Sequence, residues 1–137
     1  MKKLKNILAI ALILLLSSYA KAQMDTLNYL KQFEVNKAIY IGKPLSLLLN
    51  DMKEIQPKTI WNYGPFNDKK MRTSSDLKFC NIEESLKKNV IRFSIEWASP
   101  IPAVETNYYR DKNKSKFTED EKSFYGNKII KDIKVYR

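Results

Sequence analysis

Ten consecutive apolar residues, Ile7–Leu16 (ILAIALILLL), follow Lys2, Lys3 and Lys5. A helix that is apolar all round has no polar face to offer water, so this run does not suit the surface of a soluble body. It is also short for a bilayer span, which needs about 20 apolar residues, because Lys21 interrupts the chain soon after. Small residues follow at Ala20 and Ala22, the two positions a signal peptidase reads. Together these features predict a secretory signal peptide over 1–22, cut between Ala22 and Gln23, with a single α+β domain over 23–137. The rival readings are a buried N-terminal helix, which would be amphipathic, and a retained anchor. No Cys near the junction offers a lipidation site, and no Arg-Arg pair precedes the apolar run, so the general secretion route is expected. The product is expected to be periplasmic or secreted, with no stable membrane span after processing.

Removing the leader changes the charge argument. The whole chain carries a formal net charge of +10, from 25 Lys+Arg and 15 Asp+Glu. Four of the lysines and none of the acids lie in residues 1–22, which leaves 21 bases against 15 acids. The chain has no His and one Cys. Ser-His-Asp and Cys-His catalysis are therefore excluded, as are His-based metal sites, Cys-clustered zinc or iron–sulfur sites and an internal disulfide framework. The three glycines, Gly42, Gly64 and Gly126, are scattered and form no phosphate-binding loop. No cofactor is implied.

Hydrophobic periodicity places the elements. Asp25 is positioned to cap a helix running to about Asn36. Gly42-Lys43-Pro44 breaks the chain, and Leu45, Leu48, Leu49 and Met52 then fall at i, i+3, i+4 and i+7, one buried helical face, with Pro57 ending the segment. Thr59–Tyr63 alternates like a strand closed by Gly64-Pro65. The polar, basic stretch from Phe66 to Ser75 reads as a loop, Leu77–Ile82 as a second strand, and Glu83–Asn89 as a turn with one helical turn. Val90–Trp97 is the clearest strand, with Ile91, Phe93, Ile95 and Trp97 on one face, and Pro100 and Pro102 are expected to stop it. Ala98–Lys116 reads as a long loop with a short extended piece near Val104–Tyr109. Thr118-Glu119-Asp120-Glu121 is a capping box opening a short helix, and Lys128–Tyr136 a closing strand. The order gives an α+β fold: an antiparallel sheet of about four strands packed against two N-terminal helices and one short C-terminal helix. The leucine face is expected to pack on Ile91, Phe93, Ile95 and Trp97.

The Ala-Gln junction, the Tyr40-Ile41-Gly42-Lys43-Pro44-Leu45-Ser46 segment and the ending Phe124-Tyr125-Gly126-Asn127-Lys128-Ile129-Ile130-Lys131-Asp132-Ile133 resemble a group of small exported bacterial proteins of unassigned activity. The resemblance spans most of the chain beyond the leader. It implies export and one compact domain, and it supplies no functional residues. The Gly-x-Pro-Leu helix followed by strands is also similar to small outer-membrane assembly lipoproteins, from which this chain departs by lacking a lipidated Cys.

The residues that can carry chemistry are few. Cys80 reads as a half-buried strand cysteine, since no His is present to activate it. Glu83, Glu84, Glu96, Glu105 and Glu119–Glu121 are the carboxylates an acid–base enzyme acting on envelope polymers would draw on, and two buried carboxyls sharing a cleft would be its signature. Trp61 and Tyr63 stand in a strand, where alternate aromatics usually build core. Tyr108 and Tyr109, with Lys112 and Lys114, fall in the predicted loop and form the candidate binding surface. An exported, basic, aromatic surface suits a protein or an anionic envelope polymer and not nucleic acid. The expected function is a non-enzymatic macromolecule-binding domain of the envelope or exterior, inhibitor- or immunity-like. The alternatives are a carboxylate-dependent enzyme and a structural envelope domain.

Overall fold

A computed structural model describes the backbone of residues 2–137 and the side chains of residues 2–15 and 26–137. Alternation of apolar and polar residues builds the sheet. Phe93, Ile95 and Trp97 are buried on one face of β3 (Arg92–Pro102), as are Ile133 and Val135 of β4 (Ile130–Tyr136). With β1 (Thr59–Tyr63) and β2 (Met71–Lys78) they form one antiparallel sheet in the order β1-β2-β3-β4. The fold is α+β, as the element order predicts.

Two irregularities shape the sheet. Glu96 pairs with Asp132 but Trp97 pairs with Ile130, so Lys131 is an extra residue on β4, and its ammonium lies 3.1 Å from the Glu96 carboxylate. On the other side of β3, Ser74 pairs with Glu96 while Arg72 pairs with Ile101. Residues 97–100 therefore leave the β2 ladder, and the missing N–H of Pro100 removes no bond from it. This is why the strand continues to Pro102 where the prolines were expected to stop it.

The first two helices lie against the apolar face. α2 (Leu45–Asp51) buries Leu45, Leu48 and Leu49, and Met52 just beyond it is also buried. These four join Phe93, Ile95 and Trp97 in one core, with half-buried Ile91 packed against it, as expected. α2 closes at Asp51 and not at Pro57, with Pro44 as its N-cap. α1 (Lys2–Val35) reaches the core through Leu30 and Phe33, whose ring meets Phe93 edge-on at 6.2 Å. A turn of 3-10 helix at Lys37–Ile39 follows, and Lys37 pairs with Asp132 at 2.7 Å. α1 starts at Lys2 and not at Asp25. The expected cap at Asp25 and the cleavage positions Ala20, Ala22 and Gln23 lie outside the described side chains. Among the described residues, no helix is long and apolar enough to cross a membrane.

Three further expectations are corrected. β2 begins at Met71, inside the stretch read as a loop, and ends at Lys78. Its core-facing slot at Ser75 holds a hydroxyl that bonds to other strands, so the strand carries little apolar signal. Ile82 opens the one-turn helix α3 (Ile82–Ser85), where Asn81 accepts from the Glu84 N–H. Most important, residues 103–113 are helical: α4 (Ala103–Asn113) replaces both the predicted loop and its extended piece. The buried residues of α4 are Ala103 and Thr106, too small and too polar to show as an apolar stripe. The capping box is present as read: Thr118 caps α5 (Glu119–Gly126) and Glu121 returns a carboxylate to the Thr118 N–H.

Candidate functional site

α4 sets the candidate surface. Its inner side is held by short-range chemistry. Thr106 donates to the Ala103 carbonyl, Ala103 donates its N–H to the Lys70 carbonyl at 2.7 Å, and Asn113 donates to Glu121 at 2.8 Å and to Asp120 at 3.1 Å. Tyr109 turns inward, its ring 4.6 Å from that of Phe124 on α5. Tyr108 turns outward and is 59% exposed, and Val104, one turn earlier on the same face, is 75% exposed.

Of the four residues singled out in the sequence, the helix brings two together at the surface. Lys112 lies over the Tyr108 ring at 6.0 Å and is bonded to Asp120 at 3.0 Å. That bond raises the Lys112 pKa and, together with the Asn113 contact, lowers that of Asp120. Tyr109 belongs to the α4–α5 packing, and Lys114 is the left-handed C-cap of α4, with φ 56°. Both belonged to the expected binding surface, and the helix gives them other work.

Sequence reasoning missed Val104 and the partner wall. A groove of about 680 Å³ runs along one side of the Val104–Tyr108 ridge, with Lys69 and Lys70 of the β1–β2 connection and Met71 at the start of β2 as its far wall. A second hollow of about 260 Å³, reaching Phe124, flanks the other side. Asp111 faces the larger groove but is held by Arg110 at 2.9 Å, which keeps its carboxyl below the usual range. Phe66, at the turn that precedes Lys69, is fully exposed. Lys69 and Lys70 belong to the Phe66–Ser75 stretch that the sequence marks as polar and basic. The i, i+4 pairing of Val104 with Tyr108 becomes a signal only once residues 103–113 are recognised as helix.

The opposite face of the sheet is the second surface. The register places Trp61 opposite Asp76 and Asp76 opposite Ser94. Trp61 and Tyr63 therefore point away from the core, while Ile60 is buried and Asn62 points toward α5, contrary to the expectation that the aromatics build core. Lys78, only 6% exposed, donates to the Ser85 carbonyl at 2.6 Å and sits 5.7 Å from the Trp61 ring. Burial foremost, then the Arg92 charge, lowers its pKa. Arg92 lies over the Tyr136 ring at 5.7 Å. Among the described residues, the Trp61 N–H and the Thr59 hydroxyl are buried side-chain groups that lack a hydrogen-bond partner.

Four of the candidate carboxylates, Glu84, Glu96, Asp120 and Glu121, are held by neighbouring side chains. Glu84 pairs with Lys87 and Glu96 with Lys131. Glu121, 1% exposed, accepts from Thr118 and Asn113. The other strongly buried acid, Asp76, is on the sheet face away from α5. Among the described residues, no group of three or more His, Cys, Asp or Glu could hold a metal ion.

Fold and surface thus define an α+β chain with a four-stranded antiparallel meander and an exposed helical ridge between two hollows. No protein-family model, curated protein or solved structure matches it.

Proposed function

We propose that this chain is an exported, non-enzymatic binding domain that grips a protein of the cell envelope or exterior, in the manner of an inhibitor or immunity protein. The observation that carries the binding half is the Val104–Tyr108 ridge. Two large side chains stand in water between hollows of about 680 Å³ and 260 Å³. An apolar ridge with an aromatic anchor and a polar rim is the composition of an interface core. Lys69 and Lys70 on the rim favour a partner whose matching surface is acidic. Export rests on the leader pattern and agrees with the exposure of every side chain from Lys2 to Leu15. An amphipathic helix of the body would bury one stripe.

The test is a photo-crosslinking amino acid placed at position 108 in the natural host, followed by envelope fractionation and N-terminal sequencing. The expected result is one protein adduct in the envelope or medium, carried by a chain beginning at Gln23, and lost when Lys69 and Lys70 are both changed to Glu. Adducts only to glycan, or none, would remove the protein-binding reading. A product beginning at Met1 in the cytosol would remove export.

A further inference from the structure

A further cleft, of about 430 Å³, opens elsewhere on the molecule, and its lining holds both half-buried apolar and exposed cationic side chains. Ile55, Phe79, Val90 and Ile91 form the floor, all half-buried, so each offers apolar surface that the core has not consumed. The Phe79 ring meets Phe93 edge-on at 6.4 Å, which ties the floor rigidly to β3. Around the mouth stand Lys87, Lys88 and Arg137, all exposed.

The charges at this mouth are unbalanced. Glu84, the acid in the lining, is engaged with Lys87 at 2.9 Å. Arg137 donates its Nε to the Asn89 carbonyl at 3.0 Å, and among the described residues its terminal N–H groups have no other partner. Asn89 holds a left-handed conformation, φ 65°, which positions that carbonyl at the rim. The volume is within the range of small-molecule sites, roughly 300–1,000 Å³.

From half-buried apolar side chains and exposed cations lining one cleft we infer that the cleft binds a small single-chain amphipathic anion, an alkyl carboxylate, with the chain on Phe79 and Ile91 and the carboxylate at Lys88 and Arg137. Arg supplies the planar fork that a carboxylate accepts in pairs. This site is distinct from the α4 ridge, and neither reading depends on the other.

Cys80 makes the inference testable, because it lines this cleft and is the single cysteine of the chain. Thiol labelling therefore reports on this site alone, whatever else a fatty acid touches. Burial raises the thiol pKa, so labelling is run at mildly alkaline pH. Laurate, below its micelle concentration, is expected to slow Cys80 labelling at least about fivefold by covering the thiol. Octanoate should protect less, and dodecylamine should protect little. The double charge reversal Lys88→Glu with Arg137→Glu is a surface change that leaves the floor intact, and it should invert the preference so that dodecylamine protects and laurate does not. A Lys69→Glu, Lys70→Glu chain serves as control and should behave like the parent. Equal protection by laurate and dodecylamine, protection that survives the reversal, or no protection by laurate would each overturn the inference. Protection by anionic phospholipid vesicles without free laurate would overturn it in favour of a membrane surface.

Discussion

Trp97 and Tyr125 stack in the core with ring centroids 6.0 Å apart and 24° between planes, and a chain of hydrogen bonds closes the ring behind them. The Trp97 N–H donates to Ser75 Oγ at 2.9 Å, Ser75 donates to Asn62 Oδ1 at 2.6 Å, and the Asn62 amide donates to the Tyr125 hydroxyl at 3.0 Å. One residue from each of β1, β2, β3 and α5 takes part. The arrangement gives the Trp97 N–H and the Tyr125 hydroxyl a partner each, and it fixes α5 to the sheet at a point where apolar packing alone would tolerate sliding.

Ser75 is the centre of that chain, acting as acceptor and donor at once. Ser75→Ala leaves the buried Trp97 N–H without its acceptor and the Asn62 carbonyl without its donor. An unmade bond at a buried group costs about 1–3 kcal/mol, so the variant should lose about 2 kcal/mol in urea unfolding with an unchanged slope. Ser99→Ala, at an exposed position, should stay within about 0.5 kcal/mol of the parent. Equal midpoints for the two variants would show that the relay does not contribute to stability.

The same Tyr125, with Tyr40, couples stability to alkaline pH. Burial foremost pushes both phenols up to about 12 from their ordinary 10.0. At Tyr40 the Asp51 carboxylate, accepting from the hydroxyl at 2.8 Å, adds to the rise. At Tyr125 the Asn62 bond opposes it, and Glu121 adds to it. Between pH 10 and 12 the unfolded chain loses these protons while the folded one keeps them. The native state then binds more protons, and stability falls as pH rises. The contribution is complete below pH 10 and is lost through 12. Ultraviolet titration of the folded protein should show Tyr40 and Tyr125 ionising late, together with unfolding, while Tyr63, also raised by burial, is shifted upward as well. Tyr40→Phe should remove part of the pH slope. A chain equally stable at pH 9 and 11.5 would contradict the burial argument.

What the sequence could show follows from how each element is stabilised. Leu45–Met52 and Phe93–Trp97 pack by large apolar side chains at regular spacing, so periodicity finds them. Thr118 and Glu121 act through backbone groups three residues apart, and the capping box is legible for that reason. α4 is held instead by a small residue, a threonine bonded to its own turn, and an Asn reaching α5. None of these has a period, and two prolines ahead of it suggested a loop. The ridge of Val104 and Tyr108 was hidden with it, so the binding surface was half legible: Tyr108 and Lys112 were found, while Val104 and the Lys70 wall needed the tertiary structure. The sheet start at Met71 failed for a related reason, since Ser75 serves the core through a hydrogen bond where apolar area was sought.

Gly64 ends β1 against the start of β2. A Cβ at this position would lie 2.1 Å from the Met71 carbonyl oxygen, a backbone atom that cannot swing aside. Gly64→Ala must therefore separate the two strands where the Lys69–Met71 wall of the large groove begins. Overpacking of this kind costs about 1–3 kcal/mol. The variant should lose stability by about that amount and also weaken crosslinking from position 108, because the groove wall moves. Gly42→Ala makes no close contact but sits at φ 79°, so it should destabilise without affecting the ridge. If Gly64→Ala crosslinks like the parent at full occupancy, the wall is not part of the interface.

Lys114 separates a structural role from a binding role at a single position. It is the C-cap of α4 with φ 56° and ψ 45°, and Ser115 after it also has positive φ, 64°. A side chain in the left-handed region crowds its own backbone, and glycine is the residue that helices most often place there. The Lys114 N–H bonds the Arg110 carbonyl, and glycine keeps that bond. Lys114→Gly should therefore raise stability by about 0.5–1 kcal/mol. It removes one exposed cation, so partner capture through Tyr108 should persist, slowed only by the lost steering charge. Lys114→Gln removes the same charge without relieving the backbone, and its melting temperature should match the parent. If glycine and glutamine abolish capture alike, the ammonium itself contacts the partner. If glycine fails to stabilise, the left-handed cap is relaxed by a route other than φ.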